Sequence, residues 1–140
     1  MIIFSEKFEI SSKAFCGVVD ITDRVESILK KSKIKDGIVT VFTMGSTAGI
    51  TTIEFEPNLI KDFQELIEKL VPKDKTYYHD STWGEGNGFS HLRASLIGPS
   101  ITVPVKNGRL ALGTWQQIVL INFDNRERER KMIVQIVGEA

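Results

Sequence analysis

Histidine and cysteine are nearly absent from this chain: there are two histidines and one cysteine in 140 residues. One cysteine cannot close an internal disulfide, which fits a reducing compartment. Cys16 lies between Phe15 and Gly17 in an apolar run and reads as a small buried hydrophobe in preference to a catalytic thiol. Excess charge is missing too, with 18 basic residues against 18 acidic ones. That balance gives no support to a nucleic-acid partner or an acidic arm. No apolar run approaches the roughly 20 residues of a membrane span. At the N-terminus Phe4, Phe8 and Ile10 alternate with Ser5, Lys7 and Glu9, without the basic and apolar blocks of a secretory signal. The expectation is a soluble cytoplasmic protein with no nucleic-acid or membrane partner. Compact site signatures are absent as well: the chain has no His-Glu-x-x-His, no Cys-x-x-Cys, no Walker loop and no dinucleotide fingerprint.

What is present is a regular succession of periodic segments. The length fits one domain over residues 1–140, able to bury about two-thirds of its unfolded surface without disulfides or a structural metal. Residues 2–10 predict a strand, with residues 14–19 as its antiparallel partner across a Ser-Ser-Lys turn. Asp20 and Thr22 open a helix carrying Val25, Ile28 and Leu29, ended by Gly37. Lys30, Lys31, Lys33 and Lys35 read as its solvated last turn in preference to a phosphate patch. Residues 38–43 are a nearly continuous β-branched and aromatic run, the mark of a central strand, and residues 50–55 resume as a strand. Leu59, Phe63, Leu66, Ile67 and Leu70 form the clearest amphipathic face, with Asn58 as N-cap and Pro72 as stop. Asn107-Gly108 signals a hairpin, Pro104 an edge or bulge, and strands follow at 115–123 and 131–137. Arg126, Arg128 and Arg130 alternate with Glu127 and Glu129. This reads as a solvated hairpin tip in preference to a phosphate-binding comb. The order of elements predicts an α+β fold with a mostly antiparallel sheet, two main helices and one short helix.

Chemistry-bearing residues concentrate between Tyr77 and Gln117, a stretch that holds both histidines and both tryptophans. Residues 73–90 form a long, polar, Gly-rich connection of a kind more often functional than accidental. Residues 91–97 predict a short helix with Ser90 as N-cap, ended by Gly98 and Pro99. His91 and Ser95 then share a face toward the Gly-rich loop, and Leu92 and Leu96 pack inward on the other. For His79 and His91 a general acid/base or ligand role and a structural role weigh evenly. Asp80 either steadies His79 or caps the loop. Arg93 either clamps an anion near the helix N-terminus or is a surface arginine. The run Gly45-Ser46-Thr47-Ala48-Gly49 is either an anion cradle of amides and hydroxyls or a tight turn.

The runs His91-Leu-Arg-Ala-Ser-Leu-Ile-Gly-Pro-Ser, Val103-Pro-Val, Gly108-Arg-Leu-Ala-Leu-Gly-Thr-Trp-Gln, Phe123-Asp and Val134-Gln-Ile-Val-Gly-Glu resemble the YjbQ family over nearly the whole chain. The resemblance implies an α+β sandwich assembled as a homotrimer, with a pocket near the subunit contacts. It also implies a weak thiamine-phosphate synthase activity, the joining of a pyrimidine diphosphate to a thiazole phosphate. The alternative is a non-enzymatic trimer that binds a small anion or a metal. On this resemblance His79, Asp80 and His91 are the catalytic candidates. Ser46, Thr47, Asn87, Arg93, Ser95, Thr114 and Gln116 are the candidates for holding a small phosphorylated or anionic ligand. His79 and His91 are the candidate ligands for Mg²⁺ or another divalent metal. Two departures bear on the site, because Gly45 and Phe89 stand where the family commonly has histidine. They weaken the expectation of a histidine-rich metal site and leave an anion site better supported.

Overall fold

Met132, Val134 and Ile136 recur with period two, and that alternation turns one face of the last strand into the core. The computed structural model describes residues 1–140. Its elements run β1 (Ile2–Ser12), β2 (Gly17–Asp20), α1 (Thr22–Ser32), β3 (Asp36–Thr43), β4 (Ala48–Ile53), α2 (Pro57–Leu70), α3 (Asp80–Trp83), α4 (Gly88–Ile97), β5 (Ser100–Lys106), β6 (Arg109–Leu110), β7 (Gln117–Asn122) and β8 (Arg128–Glu139). One sheet has the order β1-β8-β3-β5-β6 and the other β2-β7-β4, and every pairing is antiparallel. The fold is α+β, as the element order predicts.

The sheets face each other across the main core. Val39, Val41, Val134 and Ile136 of the larger sheet meet Ile50, Ile118 and Leu120 of the smaller, and Val25, Ile28 and Leu29 of α1 close one side. The other face of the smaller sheet is covered as well. There Val119 and Ile121 pack with Ile67 of α2 and Ala94 of α4. Strand β7 is therefore buried on both faces, which accounts for its unbroken apolar run. Strand β3 is central in its sheet but covered on one face only, since Ile38 and Phe42 are exposed. The expected central position of residues 38–43 holds, while burial on both faces belongs to β7.

Other expectations change in instructive ways. Strand β1 does not pair with residues 14–19. It runs beside β8 from Ile2 to Ser12, while the short β2 joins β7 in the other sheet. An eleven-residue strand finds a full-length partner in β8 that the four residues of β2 could not supply. Helix α1 ends at Ser32, with Lys33 in the left-handed region, and Gly37 lies inside β3. Gly37 faces Gly138 across the β3–β8 ladder, where a Cβ would stand 2.1 Å from the Val137 carbonyl oxygen. Close strand approach, and not a helix stop, requires that glycine. Glu56, not Asn58, caps α2, accepting from the Asn58 and Leu59 amides, with Pro57 in the first turn. The Asn107-Gly108 turn forms as predicted, with both residues at positive φ.

Helix α4 starts at Gly88, three residues earlier than expected, and shows the opposite face to the core. Phe89, Ser90, Arg93 and Ala94 are buried, while Leu92 and Leu96 are 47% and 63% exposed. Phe89 stacks on Phe15, and the helix packs closely over β4, where a Cβ on Gly49 would stand 2.9 Å from Ile97 Cγ2. These contacts set its rotation, leaving His91 and Ser95 beside the β3–β4 crossing.

Candidate functional site

Residues 44–47 cross from the larger sheet to the smaller, and residues 123–127 turn from β7 to β8 at the same end of the sandwich. The Phe123 amide donates to the Thr47 carbonyl at 2.9 Å and binds the two connections together. Against them lies α4. A cleft of about 230 Å³ opens there, lined by Gly45, Ser46 and Ala48 on one side and His91, Ala94, Ser95 and Pro99 on the other. A larger groove of about 600 Å³ lies between α1 and the β5–β6 hairpin. Its Asp23 and Glu26 oppose Lys30 and Arg109, and it holds no buried polar atom without a partner.

His79 and His91 come together, with ring centroids 4.5 Å apart. Burial, then the neighbouring His79, lowers the His91 pKa below its ordinary value, against the opposing pull of Asp124 and Glu85. His91 therefore presents a neutral imidazole at neutral pH. His79 Nδ1 is buried without a hydrogen-bond partner. Asp80 does not steady it. Its two oxygens accept from the Tyr77 and Gly88 amides, each at 2.9 Å, and these bonds hold the carboxyl below its usual range. Asp80 thus caps the loop and fastens it to the start of α4. Gly88 permits this fit, since a Cβ there would lie 2.8 Å from the Tyr77 Cβ.

Beneath the cleft is a buried polar network centred on Asp124, which is 1% exposed. One of its oxygens accepts from Asn87 Nδ2 at 3.2 Å and the Asn125 amide at 2.8 Å. The other accepts from Thr47 Oγ1 at 3.2 Å and Arg128 Nε at 2.8 Å. Burial alone would raise the Asp124 pKa, but the Asn125 amide, Asn87 and Arg128 outweigh it and hold the carboxyl ionised. Arg130 donates from Nη2 to Thr47 Oγ1, the Thr47 carbonyl and Asn122 Oδ1 at 2.7, 3.1 and 2.6 Å. The Thr47 hydroxyl is thereby fully used inside the network, so Thr47 supports the site and Ser46 faces the cleft.

Three candidate residues lie elsewhere. Arg93 is buried on the far side of α4, about 200° around the helix from His91. It donates to the Val71 and Phe15 carbonyls and pairs with Glu68. Its guanidinium ties α4 to α2 and the β1–β2 turn, and it is neither an anion clamp in this cleft nor a surface residue. Thr114 and Gln116 lie in the β6–β7 connection, where Gln116 bonds Thr52 near the far end of β4. Thr52 is about 16 Å along the strand from Thr47 at ~3.3 Å per residue. Asn87 and Ser95 do reach the site, Asn87 through Asp124 and Ser95 on the cleft wall.

The donor set does not fit a divalent metal within one chain. No three side chains among His, Cys, Asp and Glu converge. The His79–His91 pair lacks a third ligand, and the oxygens of Asp80 and Asp124 are committed to amides, hydroxyl and guanidinium. Cys16 is buried, and burial pushes its thiol up to about 11, which is the inert state expected of it.

Asp124, Asn122, Arg128 and Arg130 are the site residues that pattern reading misses. A signal for Arg130 exists. It continues the Met132, Val134, Ile136 register onto the same inward face of β8, so strand period already placed it inside.

Fold and site together define a small two-sheet α+β protein with a polar cleft over a buried carboxylate–guanidinium network at one end of the sandwich. Residues 6–139 match the family described as UPF0047 protein YjbQ-like, and the chain belongs to that family. A UPF0047 protein of Archaeoglobus fulgidus is 43% identical over 118 residues, 84% of this chain and 89% of that one. One from Methanothermobacter thermautotrophicus is 37% identical over 99% of this chain and 95% of its own. A crystal structure of a YbjQ-like protein of unknown function from Sulfolobus solfataricus is similar with a TM-score of 0.94 at 35% identity, covering 99% of both chains. No helix is long and apolar enough to cross a membrane.

Two outcomes test this description. Asp124→Ala takes the carboxylate from Arg128 and the acceptor from Thr47, Asn87 and the Asn125 amide, and is expected to cost about 3 kcal/mol or more in urea unfolding, while loss under about 0.5 kcal/mol contradicts the central role given to Asp124. The lowered His91 pKa also sets a pH window. The folded state binds that proton less well than the unfolded chain, so the contribution is complete above about pH 6.5 and is lost as pH falls through the lower folded value. Wild-type Tm is expected to decline from pH 7 to pH 5 more steeply than that of His91→Gln. Parallel profiles refute the assignment.

Proposed function

We propose that this chain binds a small phosphorylated or otherwise anionic ligand in the cleft between Ser46 and His91. The observation that carries the reading is the meeting of Ser46, His91 and Ser95 in one cleft whose lining contains no carboxylate. Such a wall offers the Ser46 hydroxyl and an imidazole N–H to an oxyanion with no carboxylate to repel it, while Ser95 Oγ donates to the His91 carbonyl. A thiamine-phosphate-synthase-type transfer is the second reading. It is favoured by the meeting of His79 and His91, tilted at 46° with ring centroids 4.5 Å apart, whose N–H groups could hydrogen-bond the diphosphate that leaves with the electron pair of its C–O bond as the thiazole nitrogen's lone pair bonds the pyrimidine methylene. Assembly as a homotrimer belongs to the same proposal, supported by the exposure of Tyr78, Trp83 and Trp115, side chains of the kind that oligomer contacts are built from. A cytoplasmic setting is supported by the single, buried, unreactive thiol.

Calorimetry with inorganic phosphate and diphosphate is expected to show binding to the wild type, weakened about tenfold by Ser46→Ala and more by His91→Ala. Absence of binding to the wild type removes the reading. Rescue of a thiamine-auxotrophic strain by the wild type, but not by His79→Ala or His91→Ala, supports the transferase, and equal rescue by both variants sinks it. Light scattering is expected to give three times the 15.7 kDa of the chain, and a monomer mass removes the trimer.

A further inference from the structure

Arg130 is 8% exposed, yet no carboxylate pairs with it. Its three hydrogen bonds all leave from Nη2 and end on a hydroxyl, a carbonyl and an amide oxygen, which are neutral acceptors. The nearby carboxylate of Asp124 is spent on Arg128, whose guanidinium contacts it at 2.8 Å. Asp124 acts on Arg130 only through space, so the buried guanidinium of Arg130 has no carboxylate in direct contact, whereas Arg128 is partly open to solvent. A buried charge is ordinarily paired, and an unpaired one is costly unless a ligand completes it. Nε of Arg130 is also buried without a partner.

Nη1 of Arg130 points to where that ligand sits. Gly45 lines the cleft, and a Cβ placed on it would stand 3.1 Å from Nη1, the only atom it would meet within 4 Å. Gly45 does not occupy the left-handed region, so its backbone does not demand glycine. What the missing side chain leaves is an uncovered guanidinium edge behind the cleft wall.

We infer that Arg130 is the cation that binds the ligand's phosphate group, through Nη1 and past Gly45, and that the ligand class is a phosphate monoester or diphosphate. This rests on the cleft being the anion site. Ser46 and His91 hold the same group from the front, while the Thr47 and Asn122 oxygens fix the guanidinium from behind.

The test is calorimetry of inorganic phosphate at low salt on the wild type, Gly45→Val and Arg130→Gln, with thermal melts of the ligand-free proteins. Gly45→Val keeps every hydrogen-bonding residue of the network, places its Cβ about 3.1 Å from Nη1, and is expected to weaken phosphate binding about tenfold or more with a smaller loss of ligand-free Tm than Arg130→Gln. Arg130→Gln is expected to abolish binding and to lower the ligand-free Tm, because Thr47 Oγ1, the Thr47 carbonyl and Asn122 Oδ1 lose their donor. A purely structural arginine would lower the Tm as well but leave the affinity unchanged, so the affinity is the readout that separates the two roles. Wild-type affinity in Arg130→Gln overturns the inference, whatever Gly45→Val does. If His91→Ala abolishes binding while both new variants bind normally, the cleft stands and the role of Arg130 falls. If the wild type binds no phosphate, both fall. Should Arg130→Gln fail to fold, Gly45→Val decides alone, and normal affinity there overturns the inference.

Discussion

One buried carboxylate holds the functional end of this sandwich together. Asp124 follows the innermost strand and bonds the β3–β4 crossing through Thr47, the residue before α4 through Asn87, and the start of β8 through Arg128. These segments come from distant parts of the chain and have no common sheet. Charge-assisted bonds in a dry site are strong because water does not compete for them. The same dryness makes each partner dependent on the others. The shape of the cleft follows from Asp124 remaining ionised, because it fixes Thr47, and with it Ser46, opposite α4.

The layers of the fold were legible because they rest on period. The apolar spacing of residues 59–70 and the Asn107-Gly108 turn each translate into one element by local rules. Pairing was less legible. Residues 14–19 look like the return strand of a hairpin, but the choice between β1 and β7 is made by long-range ladders that no local pattern contains. The face of α4 was misread for a related reason. Leu92 and Leu96 are the apolar choice on composition, yet the helix turns by Phe89 stacking on Phe15 and by a buried arginine whose donors find carbonyls on other elements.

The two arginine readings exchanged places. Arg93, beside His91 in sequence, reads as the anion contact, yet its donors are consumed in joining α4 to α2. Arg130, in an Arg/Glu alternation that reads as a solvated tip, is the buried one at the cleft. Charge type decides neither case. What separates them is whether the neighbouring acceptors leave part of the guanidinium free, and that depends on tertiary placement. Strand parity was the available clue, since position 130 falls in phase with a core triad two, four and six residues later.

Phe89 and Gly45, the positions where the resemblance leads one to expect histidine, have separate physical surroundings here. Phe89 is buried against Phe15 and under the Arg93 guanidinium, where an aromatic face serves packing and an imidazole would need a proton partner. Gly45 has no packing role, and its only neighbour within reach of a side chain is Arg130 Nη1. One change therefore trades a polar ring for core, and the other uncovers a cation. Removing imidazoles takes away metal ligands, and uncovering a guanidinium adds an attraction for oxyanions. Both bear on the cleft in the same direction, since neither position offers a metal an imidazole and one leaves a guanidinium edge uncovered.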